Sequence, residues 1–302
     1  MEYPILKLKE VVKQYGNHTA VDRVSFEVPK GSIFGLLGPN GAGKTSLIRI
    51  ITTITRADNG VIELEGQNLN SSHPEQIGYM PEERGLYKKM KVGEHLIYLA
   101  RLKGLGKKEA KDAIGRWMEK FEIEDWWNKK VEELSKGMQQ KVQFIATVVH
   151  QPKLLILDEP FSGLDPINTN LIKEEIRSLN ENGTSIIFST HRMEQVEEIC
   201  ENILLINQGK VLLTGSVKEV KNRFKLHHFE IGFEGELPLD FSNQYEVVEM
   251  QNNKVVVQLP EGMSPSALLK KAVQTGVDIR SWNEMLPSLN EIFIRQVANT
   301  HG

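Results

Sequence analysis

The segment Gly38–Thr45, GPNGAGKT, limits more than any other what this chain can fold into. It fits the pattern G-x-x-x-x-G-K-[ST] and lies between an apolar, strand-like run, Ile33–Leu37, and a run with helical spacing. Glycines in such a loop let backbone N–H groups surround phosphate oxygens, and the following helix adds the positive end of its dipole. We therefore expect Lys44 to reach the β- and γ-phosphates of a nucleotide and the Thr45 hydroxyl to bind Mg²⁺. A glycine turn with a chance lysine would not need a strand before it and a helix after it.

Two further strand-like runs end in residues that can do chemistry. PKLLILDEP and TSIIFSTH are short apolar runs bounded by turn residues, which is typical of buried parallel strands, and an amphipathic helix separates them. Asp158 ends the first run and is predicted to hold Mg²⁺ through its water shell, with Glu159 placed to take a proton from an attacking water. His191 ends the second run, and from the same sheet edge it can reach the γ-phosphate. Taken alone, each of these residues also has an ordinary structural interpretation as the end of a strand.

The order of the segments predicts an α/β fold in two domains. Residues 1–222 are interpreted as a P-loop NTPase core of the RecA-like type, with an antiparallel β subdomain and a helical insert at about 84–150. Residues 226–302 contain alternating strands and two helices, and they predict a small accessory α+β domain. In that domain the adjacent His227 and His228 do not indicate a metal site, because neighbouring strand residues face opposite sides of a sheet.

Composition limits the partners and the compartment. The chain has 302 residues and a formal net charge of −3, so no broad basic face for nucleic acid is indicated. Its single cysteine, Cys200, cannot form an internal disulfide, which suits a reducing cytoplasm. No apolar run approaches the roughly 18 residues that span a bilayer, and the N-terminal MEYPILKLKE lacks the apolar stretch of a secretory signal. We expect a cytoplasmic chain that reaches a membrane only through a partner.

The ordered set of motifs resembles the nucleotide-binding domain of ABC transporters. GPNGAGKT, YMPEE, LSKGMQQ, LLILDEP, SGLD and STH follow one another at family-like separations over about Ile5–Val220. The segment PEERGLY and the C-terminal domain make the chain most similar to the sodium-exporter-like ATPases of the ABC-2 type. The resemblance implies a subunit on the inner face of the cell membrane that hydrolyses ATP with Mg²⁺. It also implies a separately encoded integral membrane permease as partner, and export as the direction of transport.

In that family two ATPase domains pack head to tail, and each ATP lies between the phosphate loop of one domain and the signature loop of the other. The resemblance therefore implies a second ATP-binding subunit, in a homodimer or a heterodimer, and no nucleic acid. By position it assigns Tyr15 to stacking on adenine, Ser135 and Gly137 to the signature loop, and Asp165 to a link between the two sites. Glu159 would act as base, and His191 would hold the γ-phosphate and the water. The remaining implied nucleotide contacts are Val21, Gly38, Pro39, Asn40, Gly41, Ala42, Gly43, Lys44, Thr45 and Ser46, and the implied metal ligands are Thr45, Glu82 and Asp158.

Three residues depart from the family pattern. Glu82 stands where the family has glutamine, and its charged oxygen should bind Mg²⁺ more strongly while repelling phosphates when metal is absent. The competing interpretation of Glu82 is a solvated loop carboxylate. Lys136 replaces a glycine and Met138 a glutamine in the signature loop. The Lys136 ammonium either contacts the γ-phosphate across the dimer or faces solvent.

Other P-loop functions fit the sequence less well. An ABC ATPase acting on DNA would carry a long heptad coiled-coil insert, and a ribosomal one would carry two phosphate loops in one chain. A kinase or GTPase has no use for a signature loop. The aromatic pair Trp126-Trp127 has two interpretations, core packing or part of a groove that faces the membrane subunit.

Overall fold

The strand that ends at the phosphate loop lies inside a six-stranded sheet, with neighbours on both sides. This arrangement is seen in a computed structural model that describes residues 3–83, 85–235, 245–274 and 276–300. The chain divides into two compact units, residues 1–217 and 218–302. The domain limits expected from the sequence, 1–222 and 226–302, remain predictions.

The secondary-structure elements are numbered along the chain. The strands are β1 (Leu6–Tyr15), β2 (His18–Val28), β3 (Ile33–Leu37), β4 (Asn59–Leu64), β5 (Gln67–Asn68), β6 (Ile77–Met80), β7 (Leu154–Asp158), β8 (Ser185–Thr190), β9 (Asn202–Asn207), β10 (Lys210–Ser216), β11 (His228–Glu234), β12 (Val247–Gln251), β13 (Lys254–Gln258) and β14 (Asp278–Met285). The α-helices are α1 (Lys44–Ile51), α2 (Val92–Leu102), α3 (Lys107–Lys120), α4 (Lys136–Val148), α5 (Pro166–Glu181), α6 (Met193–Ile199), α7 (Val217–Arg223), α8 (Pro265–Gln274) and α9 (Leu289–Thr300).

The central sheet has the order β10-β9-β3-β8-β7-β6. The strands from β9 to β6 run parallel, and β10 joins the edge antiparallel to β9. Strands β3, β7 and β8 are buried along their whole length, which explains their continuous apolar sequences. Because parallel strands end at the same edge, the loops after β3, β6, β7 and β8 all meet there.

A second, four-stranded sheet, β2-β1-β4-β5, is antiparallel and is the predicted β subdomain. Its apolar residues pack with those of the central sheet and of α1 in one core; Phe26 of β2, for example, stacks on Phe34 of β3 with ring centroids 5.6 Å apart. This core holds the phosphate loop between two sheets. The α/β fold with a P-loop NTPase core is confirmed.

The helical insert consists of α2, α3 and α4; its predicted first residue, 84, lies outside the described residues. An aromatic cluster joins α3 to α4: the rings of Trp117 and Phe121 each lie 6.0 Å from that of Phe144. Gly93 of α2 lies against the Trp127 indole so closely that a Cβ there would overlap the ring. Trp127 therefore packs inside the insert.

The C-terminal unit has an antiparallel sheet of order β12-β13-β11-β14 with α8 and α9. Its core includes Phe229, Ile231, Val255, Val257 and Leu268. Within the described ranges, no three or more histidine, cysteine, aspartate or glutamate residues are grouped to hold a metal ion. Across the same ranges, no helix combines the length and apolar character needed to cross a bilayer.

Candidate active site

The phosphate loop joins β3 to α1 through three glycines with positive φ. Gly38, Gly41 and Gly43 have φ values of 153°, 79° and 108°, a region that side chains disfavour. A Cβ at Gly38 would collide with the Ile206 carbonyl, and one at Gly43 with the Ala20 carbonyl. At Gly38 and Gly43 the neighbouring backbone leaves no room for a side chain, so the curled loop requires glycine at both positions. Its N–H groups and the start of α1 can then bind an anion.

Lys44, the first residue of α1, keeps its ammonium inside this loop. Its Nζ donates to the Gly38 carbonyl at 2.6 Å and to the Pro39 carbonyl at 3.1 Å. Burial lowers the pKa of Lys44, while the carboxylates of Asp158, Glu159 and Glu82 act to raise it. A positive charge is therefore held beside three carboxylates, where a phosphate group and a metal ion can complete the charge balance.

The two carboxylates at the end of β7, Asp158 and Glu159, are both buried and both hydrogen-bonded to β8. The Ser189 hydroxyl donates to Asp158 Oδ1 at 2.8 Å, and burial raises the pKa of Asp158. Glu159 has a φ of 51° and accepts from the Thr190 hydroxyl at 3.0 Å through Oε2. Its Oε1 accepts from the His191 backbone N–H at 2.8 Å and lies 2.6 Å from His191 Nδ1. Because a carboxylate only accepts, that ring nitrogen carries the proton.

These groups surround a cavity of about 240 Å³ at the carboxyl edge of the central sheet. The predicted residues that line it are Tyr15, Asn40, Gly41, Ala42, Gly43, Lys44, Thr45, Ser46, Glu82, Asp158 and Glu159. His191 joins them through its contacts with Glu159, and Gly38 and Pro39 through their carbonyl bonds to Lys44.

The signature loop, defined as residues 134–138, contains a glycine that α4 does not require for its own packing. Ser135 caps α4, its hydroxyl accepting from the Met138 N–H at 3.3 Å. At Gly137 the nearest atom to an added Cβ would be Leu164 Cδ2, at an ordinary 3.8 Å. Among the described residues, none of the signature loop lines the phosphate cavity. The glycine is therefore not explained by packing within the chain.

Asp165 lies at the N-terminus of α5. Its carboxylate accepts from the Asn168 N–H at 3.0 Å and from the Asn168 side-chain amide at 2.5 Å. These bonds lower the pKa of Asp165, so its charge is kept at the positive end of the helix. In this chain Asp165 acts first as a helix cap.

Comparison with known proteins places this geometry in a family. The ABC transporter family model matches residues 21–162, and a second model, the C-terminal domain of ATP-binding proteins like DrrA1-3, matches residues 215–297. The chain is 45% identical over 296 residues to the ABC transporter ATP-binding protein YhaQ of Bacillus subtilis, covering 97% of this chain and 99% of YhaQ. The chain belongs to the ABC transporter ATP-binding family. It is an ATPase and the ATP-binding subunit of an ABC transporter, a class of subunit that dimerises and works with a membrane permease.

Further relatives within the family agree with this assignment. NatA of Bacillus subtilis is 36% identical, with 70% of this chain and 85% of NatA covered. The Nod factor export ATP-binding protein I of Cupriavidus metallidurans is 34% identical over 72% of both chains. A solved structure of an ATP-binding subunit of an ABC transporter superposes with a TM-score of 0.69 at 29% identity, covering 73% of this chain and 93% of that one. The resemblance to ABC ATPases read from the motifs is confirmed.

One nucleotide contact implied by the family resemblance is wrong for this ATPase. Val21 is fully buried in the core between the two sheets, because it follows the inward-facing side of β2, and it does not line the cavity. His18 and Ala20 line the cavity in its place. A local signal was available, because His18 and Ala20 lie at the start of β2, directly after the turn that follows Tyr15.

The residues proposed for Mg²⁺ fit the way that this ion binds in nucleotide sites. Thr45, Glu82 and Asp158 supply oxygen atoms around one cavity, whereas no all-protein cage of three or more acidic, histidine or cysteine ligands occurs in the described part of the chain. Mg²⁺ usually takes one or two protein ligands and completes its shell with phosphates and water. Glu82 is exposed and lines the cavity, and its role as a metal ligand stays a prediction.

A second cavity of about 310 Å³ lies beside the loop that follows β6, and we call it the α2–α4 groove. Its wall includes Ile54, Pro81, Leu86, Leu99, Leu102 and Ala146. Trp126 and Trp127 are not among the residues that line it, and the placement of one tryptophan at a surface facing the membrane subunit stays a prediction. Pro81 and Glu82 are adjacent, yet one lines the groove and the other lines the phosphate cavity.

Proposed function

We propose that two copies of this ATPase, or one copy and a related subunit, close head to tail over two ATP molecules and drive a separate permease in the direction of export. The observation that carries the proposal is the unexplained first turn of α4. The Ser135 hydroxyl accepts from the Met138 N–H, but Ser135 and Lys136 are exposed at the positive end of this helix. Gly137 is not crowded, and the cavity that holds Lys44 lies elsewhere in the same chain. The phosphate group that suits this helix end belongs to ATP on another subunit.

Hydrolysis at each site follows from the groups around the cavity. Glu159 takes the proton of a water that attacks the γ-phosphorus, while the bond to the β-phosphate oxygen breaks to leave ADP and phosphate. His191 and Thr190 fix the Glu159 carboxylate through the bonds given above, and Lys44 stabilises charge on the phosphates. Tyr15, about half exposed at the cavity edge, stacks on the adenine. When bound, Mg²⁺ would be held by Thr45, Glu82 and Asp158 and would neutralise phosphate charge.

Asp165 and Lys136 belong to the proposed interface as well. Asp165 caps a helix that follows the catalytic loop directly, so a partner that touches it acts on the loop containing Glu159. Lys136, an exposed first residue of α4, adds a cation where the partner's γ-phosphate would lie.

The α2–α4 groove is the proposed docking surface for a cytoplasmic segment of the permease. Its apolar wall includes Leu102, which is 60% exposed, and such surface suits an apolar partner segment. Docking there would hold the subunit at the inner face of the cell membrane. The export direction is supported by the resemblance to ABC-2-type ATPases and by the named export function of the Nod factor relative.

Purification of the tagged full chain from detergent-solubilised membranes tests this function. We expect one integral membrane protein to co-purify, to be lost with Leu102→Asp in the groove, and to be kept with Val61→Asp, an exposed apolar residue outside it. Co-purification of nucleic acid or ribosomes in place of a membrane protein would contradict the proposal. So would equal recovery of the membrane protein with both variants.

A further inference from the structure

Helix α4 carries two buried glutamines, Gln140 and Gln143, whose amides bond to the loops next to Glu159 and Glu82. Their exposures are 3% and 4%, unusually low for a residue whose amide has to find partners. The same helix is capped by Ser135 of the signature loop. A buried polar side chain in such a helix requires an explanation beyond packing.

Gln140 is bonded to the loop of the catalytic base. Its Nε2 donates to the Pro160 carbonyl at 2.9 Å, and Pro160 directly follows Glu159. A proline has no N–H, so this turn has one backbone donor fewer with which to fix itself. The position of Glu159 therefore depends on a side chain from α4 as well as on β8.

Gln143, one helical turn further on, is bonded to the loop of Glu82 in the same way. Its Nε2 donates to the Pro81 carbonyl at 2.8 Å, and Pro81 directly precedes Glu82. A carbonyl oxygen only accepts, so the nitrogen end of the amide must face the proline. The Oε1 end is buried and has no hydrogen-bond partner among the residues that the structure describes. The Pro81 carbonyl thus gains a hydrogen bond, while the glutamine's own carbonyl oxygen is without one in the described part of the chain.

We infer that Gln140 and Gln143 are positioning residues that couple the signature helix to the two glutamates of the chain's own site. The inference rests on the proposed head-to-tail dimer. Contact of Ser135 and Gly137 with a partner's ATP orients the start of α4. Gln143 lies about 12 Å from Ser135 along the same rigid helix, at a rise of 1.5 Å per residue. A shift of α4 is transmitted to Glu159 through Pro160 and to Glu82 through Pro81.

This coupling would make the rate of hydrolysis at one site depend on ATP at the other site. Contacts confined to a single site would not have this effect. ATP at one site sets the base and the metal ligand of the other, so the two sites become ready together. Reciprocal coupling of this kind makes hydrolysis cooperative in ATP concentration, with a Hill coefficient above 1. Removing either glutamine hydrogen bond should uncouple hydrolysis at the two sites, so that each site responds to ATP independently.

The test compares Gln140→Met and Gln143→Met with the wild-type full chain. Methionine keeps the length of the side chain and removes the donor. We expect ATP turnover to fall about tenfold, as for loss of a buried hydrogen bond, and the Hill coefficient to fall to about 1. For Gln143→Met we also expect a higher Mg²⁺ concentration at half-maximal rate, and no further rise when Glu82→Gln is already present.

Asn180→Leu is the matched control, because the Asn180 amide also joins two chain segments. Its Nδ2 donates to the carbonyls of Gly31 at 2.9 Å and Thr184 at 3.0 Å, away from both glutamates. We expect this variant to melt at a lower temperature and to keep the wild-type Hill coefficient. Melting curves set an assay temperature at which the variants are folded. Should Gln140→Met not fold at any temperature, the Mg²⁺ titration of Gln143→Met decides.

Failure of the glutamine coupling and failure of the proposed dimer would give different results. A wild-type Hill coefficient above 1 that both methionine variants retain, with an unchanged Mg²⁺ titration, would overturn the role of the glutamines and leave the proposed dimer standing. A wild-type Hill coefficient of 1 together with no ATP-dependent dimer would overturn the proposed dimer, and the coupling with it.

Discussion

At the residue scale, Gly137 is not required for the folding of α4, whereas the proposed partner's phosphate would need the space beside it. Ser135 supplies the helix cap, and nothing within the chain crowds the glycine. A side chain at position 137 would fit the monomer and block the approach of a phosphate. The residue is therefore a specific probe of the interface.

We expect Gly137→Asp to bind nucleotide as the wild-type monomer does and to lose hydrolysis, because its carboxylate would repel the partner's γ-phosphate. Binding of a fluorescent ATP analogue and release of phosphate measure the two effects separately. Gly115→Asp in α3 is the control, since an added Cβ there meets open space and one at Gly137 meets only an ordinary contact. Equal turnover by both variants would remove the signature loop from the site.

Glu82 gives a second residue-scale prediction. Its carboxylate faces the same cavity as Lys44 and Asp158, so without Mg²⁺ it should repel ATP. Glu82→Gln should therefore bind ATP more tightly without metal and reduce the gain in affinity on adding Mg²⁺ about tenfold, roughly 1.4 kcal/mol. Nucleotide titrations with Mg²⁺ and with EDTA measure this gain. Glu83→Gln, the exposed neighbour outside the cavity, should behave as wild type; an unchanged Mg²⁺ dependence in Glu82→Gln would refute the idea.

Residues whose chemistry is tied to a local pattern were predictable from sequence. The glycines of the phosphate loop, Lys44 and the carboxylates after β7 are of this kind, because a strand, a loop and a helix in sequence already fix their surroundings. Val21 was not, since its burial depends on how two sheets pack. The bonds from Gln140 and Gln143 to distant prolines have no local signal at all.

At the element scale, α2 contains a buried histidine that makes the helical insert sensitive to acid. His95 is fully buried, its ring nitrogens have no hydrogen-bond partner within the described part of the chain, and burial lowers its pKa to about 4. Its ring lies edge-on to Tyr87 at 5.6 Å. The neutral ring packs as an apolar group, and a charged one would be without a partner.

The sign of the pH effect follows from the lowered pKa. The unfolded chain takes up a proton at His95 near pH 6.5, while the folded chain does not until about pH 4, so the free energy of unfolding decreases as pH falls through this window. The decrease approaches about 1.4 kcal/mol per pH unit for each such histidine. Urea unfolding at pH 7.5 and 5.0 should show a smaller loss for His95→Phe than for wild type. The exposed His18→Phe should keep the wild-type loss, and an equal loss in all three proteins would contradict the prediction.

Most elements were predictable because their apolar patterns are strong. The fully buried runs of β3, β7 and β8 and the helical spacing of α2 and α3 appear in the sequence as expected. The groove beside α2 and the separate packing of Trp127 against Gly93 were not predictable, because they depend on contacts between elements far apart in the chain.

At the scale of the whole molecule, the sequence motifs are divided between two surfaces. The phosphate loop, Asp158 and Glu159 meet at one cavity, whereas the signature loop has no part in it among the described residues. One chain thus presents two halves of different sites. In the proposed head-to-tail pair, the signature loop of each subunit would complete the phosphate site of the other.

Glu159→Gln tests whether ATP assembles this chain into a hydrolytic pair. Glutamine keeps the shape of Glu159 and removes the base, so ATP should bind and remain uncleaved. Light scattering coupled to size exclusion should show a monomer without nucleotide and a dimer with MgATP, while phosphate release falls by at least a hundredfold. A chain that stays monomeric with MgATP, or that still hydrolyses ATP at the wild-type rate, would contradict the account.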